Sequence, residues 1–167
     1  INIMVTGSQW KWHYKYLEDG ISFYSNLSTP QEQINNKMPK GEFYLKEVDQ
    51  PLVIPINKRI RFLITGNDVI HSWWVPDFAV KQDAIPGFIN TAWTNVPTPG
   101  IYRGNCTELC GIKHAFMPVV VRAVEQEEYD AFVAERILLA ENEKMLTSKD
   151  WTAEELFEIY KKHAGKI

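Results

Sequence analysis

Short runs in which apolar and polar residues alternate cover most of this chain up to about residue 124. Segments 3–5, 11–16, 42–48, 52–56, 59–65, 90–95, 100–105 and 118–124 are rich in β-branched and aromatic residues and have the length of strands. Turn-forming residues separate them at Asp19-Gly20, Pro39-Lys40-Gly41, Thr65-Gly66-Asn67-Asp68, Pro86-Gly87 and Pro97-Thr98-Pro99-Gly100. Many short strands with this punctuation predict an all-β antiparallel sandwich or barrel. Residues 25–40 are polar and read as a loop.

The pattern changes after Val124. Residues 125–142 set Tyr129, Phe132, Val133, Ile137 and Leu138 near helical spacing and predict a helix. A second helix is expected to start at the capping box Thr152-Ala-Glu-Glu155, with Trp151 stapled to Leu156 and Gly165 at its C-terminal cap. The chain thus divides into a β domain over 1–124 and a helical C-terminal extension or linker over 125–167. Its longest apolar runs, 118–121 and 137–140, fall far short of the ~20 residues that span a bilayer. There is no signal peptide and no initiator methionine, so the sequence reads as an excised, soluble piece of a longer protein. At 167 residues, 45% hydrophobic and 13% aromatic, it is large enough for one substantial core. A net charge of −3, without a basic stripe on a recognition helix, argues against nucleic acid as a partner.

The chemistry concentrates in Cys106-Thr-Glu-Leu-Cys110-Gly-Ile-Lys-His114-Ala-Phe-Met117, which holds both cysteines of the chain with an imidazole and a thioether. A second histidine, His71, lies upstream in Asp68-Val69-Ile70-His71-Ser72-Trp73-Trp74. Two thiolates, two imidazoles and a thioether suit a soft or borderline transition metal. A disulfide between the cysteines and a closed structural zinc site are the simpler readings. Zinc has no use for the thioether of Met117, whereas methionine is a common weak axial ligand of copper in electron-transfer sites. A mononuclear blue-copper site takes one cysteine and leaves the other thiolate over. If both sulfurs bridge two copper ions, each ion gains one histidine, and the weak positions fall to Met117 and to a backbone carbonyl.

The loop, with Gly7-Ser8-Gln9-Trp10-Lys11-Trp12, His71-Ser72-Trp73, Lys81-Gln82-Asp83-Ala84-Ile85-Pro86-Gly87 and Phe116-Met117-Pro118 in the same order, resembles the copper A domain of subunit II of haem-copper cytochrome c oxidases. Cys106, Glu108, Cys110, His114 and Met117 match every fixed position of that family's loop, and the resemblance covers about residues 1 to 135. It implies a Greek-key cupredoxin fold and a dinuclear copper centre held by His71, Cys106, Cys110, His114, Met117 and the backbone carbonyl of Glu108. The Glu108 carboxylate is then free to help bind a magnesium or manganese ion at the interface with subunit I. The parent would be anchored by N-terminal membrane helices, with this part at the periplasmic face of the bacterial inner membrane. Electrons would come from cytochrome c, soluble or fused beyond residue 167, although no C-x-x-C-H haem-attachment motif occurs in this sequence. As part of the oxidase the chain inherits an enzyme label, while by itself it carries electrons and has no catalytic residue.

Trp10 matches the tryptophan through which the family is thought to receive electrons; alternatively it packs on one strand face with Trp12. Asp49, Asp68, Glu18 and Asp19 are candidates for an acidic ring around a basic donor, diluted by Lys11, His13 and Lys15. Trp73, Trp74, Phe116 and Pro76 are expected to form an apolar shell around the metal. The rivals are the copper A domain of a nitrous oxide or nitric oxide reductase and a thioredoxin-type copper-delivery protein. Nitrous oxide reductase carries tryptophan where this chain has Glu108, and a thioredoxin-type fold would need helices alternating with strands around the cysteines.

Overall fold

Alternation along a strand sends successive side chains to opposite faces, so each amphipathic segment buries one face and wets the other. The computed structural model describes residues 1–147 and Thr152. The strands are β1 (Asn2–Ser8), β2 (Lys11–Tyr16), β3 (Ser22–Ser25), β4 (Leu52–Pro55), β5 (Arg59–Gly66), β6 (His71–Val75), β7 (Val80–Ala84), β8 (Asn90–Asn95), β9 (Gly100–Cys106) and β10 (Pro118–Val124). They form two five-stranded sheets, ordered β3-β2-β1-β5-β8 and β4-β10-β9-β6-β7. Most pairs are antiparallel, with β1–β5 and β4–β10 parallel. This is the cupredoxin-like all-β sandwich that the strand pattern and the resemblance imply, followed by a helical tail.

The core lies between the sheets. Ile3 and Val5 of β1, Trp12, Tyr14 and Tyr16 of β2, and Ile60, Phe62 and Ile64 of β5 are fully buried. They meet Trp73, Val119 and Val121 from the other sheet, with the Phe62 and Trp73 rings 4.7 Å apart. Each such side chain contributes about 1.5–3 kcal/mol by leaving water. The Tyr16 hydroxyl crosses the core, donating to Val53 O at 2.7 Å and accepting from Val53 N–H at 3.0 Å. It thereby closes the free edge of β4. Gly104 lets β9 lie tight against β6, because a Cβ there would fall 1.7 Å from Trp74 O.

Several expectations are corrected. Residues 42–48 form turns and a single bridge, Leu27 to Val48, and no strand. Their apolar character serves another contact, since Phe43 lies under the Arg103 guanidinium at 3.7 Å and Leu45 adopts a φ of 58°. The polar segment 25–40 contains a short helix, α1 (Gln31–Ile34). Three strands lacked an alternating apolar signal: β3 and β7 are short and partly polar, and β6 is buried along nearly its whole length. The predicted tail helix forms as α2 (Gln126–Thr147). Tyr129 is buried against Tyr16, and Phe132 packs on Phe23, whereas Ile137 and Leu138 are exposed. The second expected helix, with Trp151, Glu155, Leu156 and Gly165, lies outside the described residues.

Candidate metal centre

Three chain segments converge at one end of the sandwich. His71 opens β6, Cys106 closes β9, and Met117 immediately precedes β10, so ladder hydrogen bonds fix all three. Trp73 stands opposite Cys106 in the β6–β9 register. The Thr107 N–H donates to Ser72 O at 3.0 Å, and the buried Trp12 indole donates to Met117 O at 3.3 Å. Gly7 supplies the space for the imidazole: a Cβ at that position would sit 2.8 Å from His71 Cδ2.

The donor atoms form one cluster. The two sulfurs are 3.9 Å apart, far beyond the ~2.05 Å of a disulfide, and both thiols are free. Cys106 Sγ lies 3.9 Å from His71 Nδ1 and 3.4 Å from the Glu108 carbonyl oxygen. Cys110 Sγ lies 3.4 Å from His114 Nδ1 and 3.6 Å from Met117 Sδ. Each sulfur therefore has its own imidazole and its own weak donor. His71, Cys106, Cys110 and Met117 are buried and His114 is half-buried, while Glu108 is exposed.

Asp68 sets the direction in which His71 points. Its Oδ1 lies 2.9 Å from His71 Nε2 and accepts the Val69 N–H at 2.7 Å, while Oδ2 accepts the Gln9 N–H at 2.8 Å. A proton on Nε2, shared with the carboxylate, leaves the Nδ1 lone pair facing the sulfurs. Burial pulls the His71 pKa down, but contacts with Cys106 and Asp68 outweigh it and raise the value. Burial likewise pushes the Cys106 thiol up, yet bonds to His71 and to the Ser72 and Glu108 backbone bring it below the ordinary value. Cys110 is pushed up to about 12 by burial and by the neighbouring Cys106 charge. The two thiols thus differ in acidity, and a bound cation would draw off their protons.

These contacts bring the six predicted ligand groups together, with His71, Cys106 and Cys110 as the buried group able to hold a metal ion, and soft donors of this kind fit copper. Trp10 sits in the turn after β1, half-buried, and donates from Nε1 to Cys110 O at 3.1 Å; Gln9 Nε2 donates to the same oxygen at 2.9 Å. Trp12 is fully buried, so the two tryptophans do not share a surface. The four acidic candidates are not gathered into a ring. Asp68 is turned onto His71, Asp49 holds the Asn26 backbone and side chain, and Glu18 and Asp19 lie beyond the far end of β2, bonded to Asn2 and Tyr129. Within the expected apolar shell Trp73 is buried and Phe116 half-buried, but Pro76 is exposed at the opposite end of β6. The sequence reading missed Asp68 and Gly7 as supports of His71. Asp68 had a signal in its position three residues before the histidine; Gly7 had none without the fold.

Comparisons with known proteins agree with this geometry. The family model described as cytochrome c oxidase subunit II, periplasmic domain, matches residues 1–124. A probable cytochrome c oxidase subunit 2 of Rickettsia prowazekii is 43% identical over 145 residues, covering 86% of this chain and 45% of the relative. The Cereibacter sphaeroides subunit 2 is 42% identical over 146 residues, covering 80% of this chain and 48% of the relative. The chain therefore spans about half the length of the curated relatives it matches. The crystal structure of the periplasmic domain of subunit II from Bradyrhizobium japonicum superposes with a TM-score of 0.73 at 39% identity, covering 81% of this chain and 92% of that one. Another solved structure, a subunit II domain caught in a mixed disulfide with a thioredoxin-like protein, has a TM-score of 0.65 at 38% identity, covering 81% and 90%.

Proposed function

From the premise that this chain belongs to the family of periplasmic domains of cytochrome c oxidase subunit II, we propose that it is the copper A electron-transfer domain of a haem-copper oxidase. It would take single electrons from a cytochrome c and hand them to the haem centres of subunit I. The observation that carries this reading is the pairing of each sulfur with its own imidazole and weak donor around a 3.9 Å sulfur separation. Cys106 and Cys110 would bridge two copper ions, His71 and His114 would each bind one, and Met117 Sδ and the Glu108 carbonyl would fill the weak positions. Bound there, the copper pair supplies one-electron storage spread over two ions, so that little rearranges when an electron arrives or leaves.

The chain's own residues do the rest. Strand ends on both sides hold the ligands, and the fully buried Trp12 and Trp73 exclude water. Asp68 keeps the His71 ring aimed inward. Trp10 is the proposed entry point: its hydrogen bond to Cys110 O gives a short covalent and hydrogen-bonded route from the surface to a ligand residue. The exposed Glu108 side chain is free to meet a magnesium or manganese ion at subunit I while its carbonyl faces Cys106. We assign residues 1–124 to the copper domain and 125–167 to a helical extension or linker. No helix among the described residues is long and apolar enough to cross a membrane, and the anchor is assigned to the remainder of the parent protein, at the periplasmic face. Before loading, both thiols must stay reduced, which makes a thioredoxin-like reductant a proposed partner, the class caught on the similar domain.

Two variants test the assignment. Met117→Leu should keep both coppers and shift the reduction potential, because only a weak donor is lost. Cys106→Ser should abolish the shared-electron spectrum; a variant that kept it would show that the sulfur is not a bridge.

A further inference from the structure

The turn between β1 and β2 reaches both halves of the donor cluster through one residue. The main-chain N–H of Gln9 donates to Asp68 Oδ2 at 2.8 Å, and Asp68 Oδ1 lies 2.9 Å from Nε2 of His71, the imidazole beside Cys106. The side chain of the same residue donates from Nε2 to Cys110 O at 2.9 Å, and Trp10 Nε1 donates to that oxygen at 3.1 Å. Cys110 belongs to the other half, with His114 Nδ1 at 3.4 Å and Met117 Sδ at 3.6 Å from its sulfur. Gln9 thus bonds to a support of one half and to the main chain of the other.

Cys110 needs such support more than its partners do. His71 and Cys106 lie within β6 and β9, and Trp73 stands opposite Cys106 in the register of those strands. Met117 adjoins β10, and its carbonyl accepts the buried Trp12 indole at 3.3 Å. Cys110 lies in no strand or helix, and among the described residues no main-chain N–H is bonded to its carbonyl. Both donors to that oxygen are side chains of the β1–β2 turn. Gly111 lets them approach: it adopts a φ of 112°, and a Cβ there would lie 3.0 Å from Trp10 Cζ2 and 3.1 Å from Gln9 Nε2. Gln9 is itself exposed and stands outside the intersheet core, so its side chain has no packing duty there.

We propose that Gln9 is a positioning residue for Cys110. Its side-chain amide pins the Cys110 carbonyl and so holds Sγ between His114 and Met117, while its main chain, through Asp68, keeps His71 in step. The inference deepens the copper A reading and rests on it. Two ions share one electron evenly only if both sulfurs bridge them alike, and a ligand constellation must be held to within about 0.5 Å. Cys106 gains that precision from its strand ladder, and Cys110 gains it from Gln9, with Trp10 as the second donor. Hydrogen bonds of this kind orient metal ligands without touching the metal. Loss of one such bond at the solvent edge shifts a local opening equilibrium by about three- to tenfold.

The test begins with the metal-free, reduced chain, where electron entry plays no part. Alkylation by iodoacetamide under single-hit conditions, located by mass spectrometry, reads how often each sulfur becomes accessible. Gln9→Leu keeps most of the bulk and removes the donor; it should speed alkylation of Cys110 about three- to tenfold and change that of Cys106 by less than about twofold. Adding Trp10→Phe, which removes the second donor, should speed it further. The copper-loaded Gln9→Leu chain should still hold two coppers, and its electron paramagnetic resonance spectrum should show unequal coupling to the two nuclei where the parent shows equal coupling. An unchanged Cys110 rate, an unchanged coupling pattern, or faster alkylation of both cysteines together with a lower melting temperature would each overturn the proposal. If the parent itself shows no shared electron, the copper A reading fails, and the alkylation contrast alone decides whether Gln9 positions Cys110.

Discussion

Asp68 shows how one side chain can serve fold and site together. Both of its oxygens are committed to N–H donors, one to His71 and Val69 and the other to Gln9. An asparagine in its place would keep the acceptor toward His71 only by turning an NH₂ group against the Gln9 N–H. Asp68→Asn should therefore weaken copper binding about 10- to 100-fold, as measured by competition with a chelator. Glu18 offers a simpler test, away from the metal. Its carboxylate accepts the Asn2 backbone N–H at 2.9 Å, and that bond, with the Asn2 side chain assisting, holds its pKa below the usual carboxylate value. The charged form is favoured in the folded state, so this stabilisation is present above the unfolded carboxylate pKa and is lost as pH falls through the lower, folded value. Melting temperatures of Glu18→Gln and the parent should differ at neutral pH and converge in strong acid.

At the scale of elements, the two sheets are tied by Tyr16 as well as by apolar contact. Tyr16→Phe would leave the buried Val53 N–H and C=O without their partner and should cost about 1–3 kcal/mol, read from denaturant unfolding. The sequence revealed the strands that have one wet face, such as β2 and β5, because their alternation is a direct imprint of half-burial. It concealed β6, whose buried residues follow no period of two, and it misread residues 42–48, where Phe43 and Leu45 serve a turn and an Arg103 contact. The donor cluster was legible because its loop members are close in sequence. The supports of His71 were not, since Gly7 meets its ring only after β1 and β6 are assembled.

Across the whole molecule, the fold works as a rigid frame whose strand ends deliver His71, Cys106 and Met117 to one point, with Trp10 on the adjoining surface. The intersheet core holds the strand ends that carry the ligands. This arrangement suits a centre that must change little between oxidised and reduced forms. The decisive measurement is copper stoichiometry together with the electron paramagnetic resonance spectrum of the oxidised, fully loaded chain. Two coppers per chain sharing one unpaired electron, with hyperfine coupling to both nuclei, is the predicted result; a single copper, zinc in preference to copper, or an electron confined to one nucleus would contradict it.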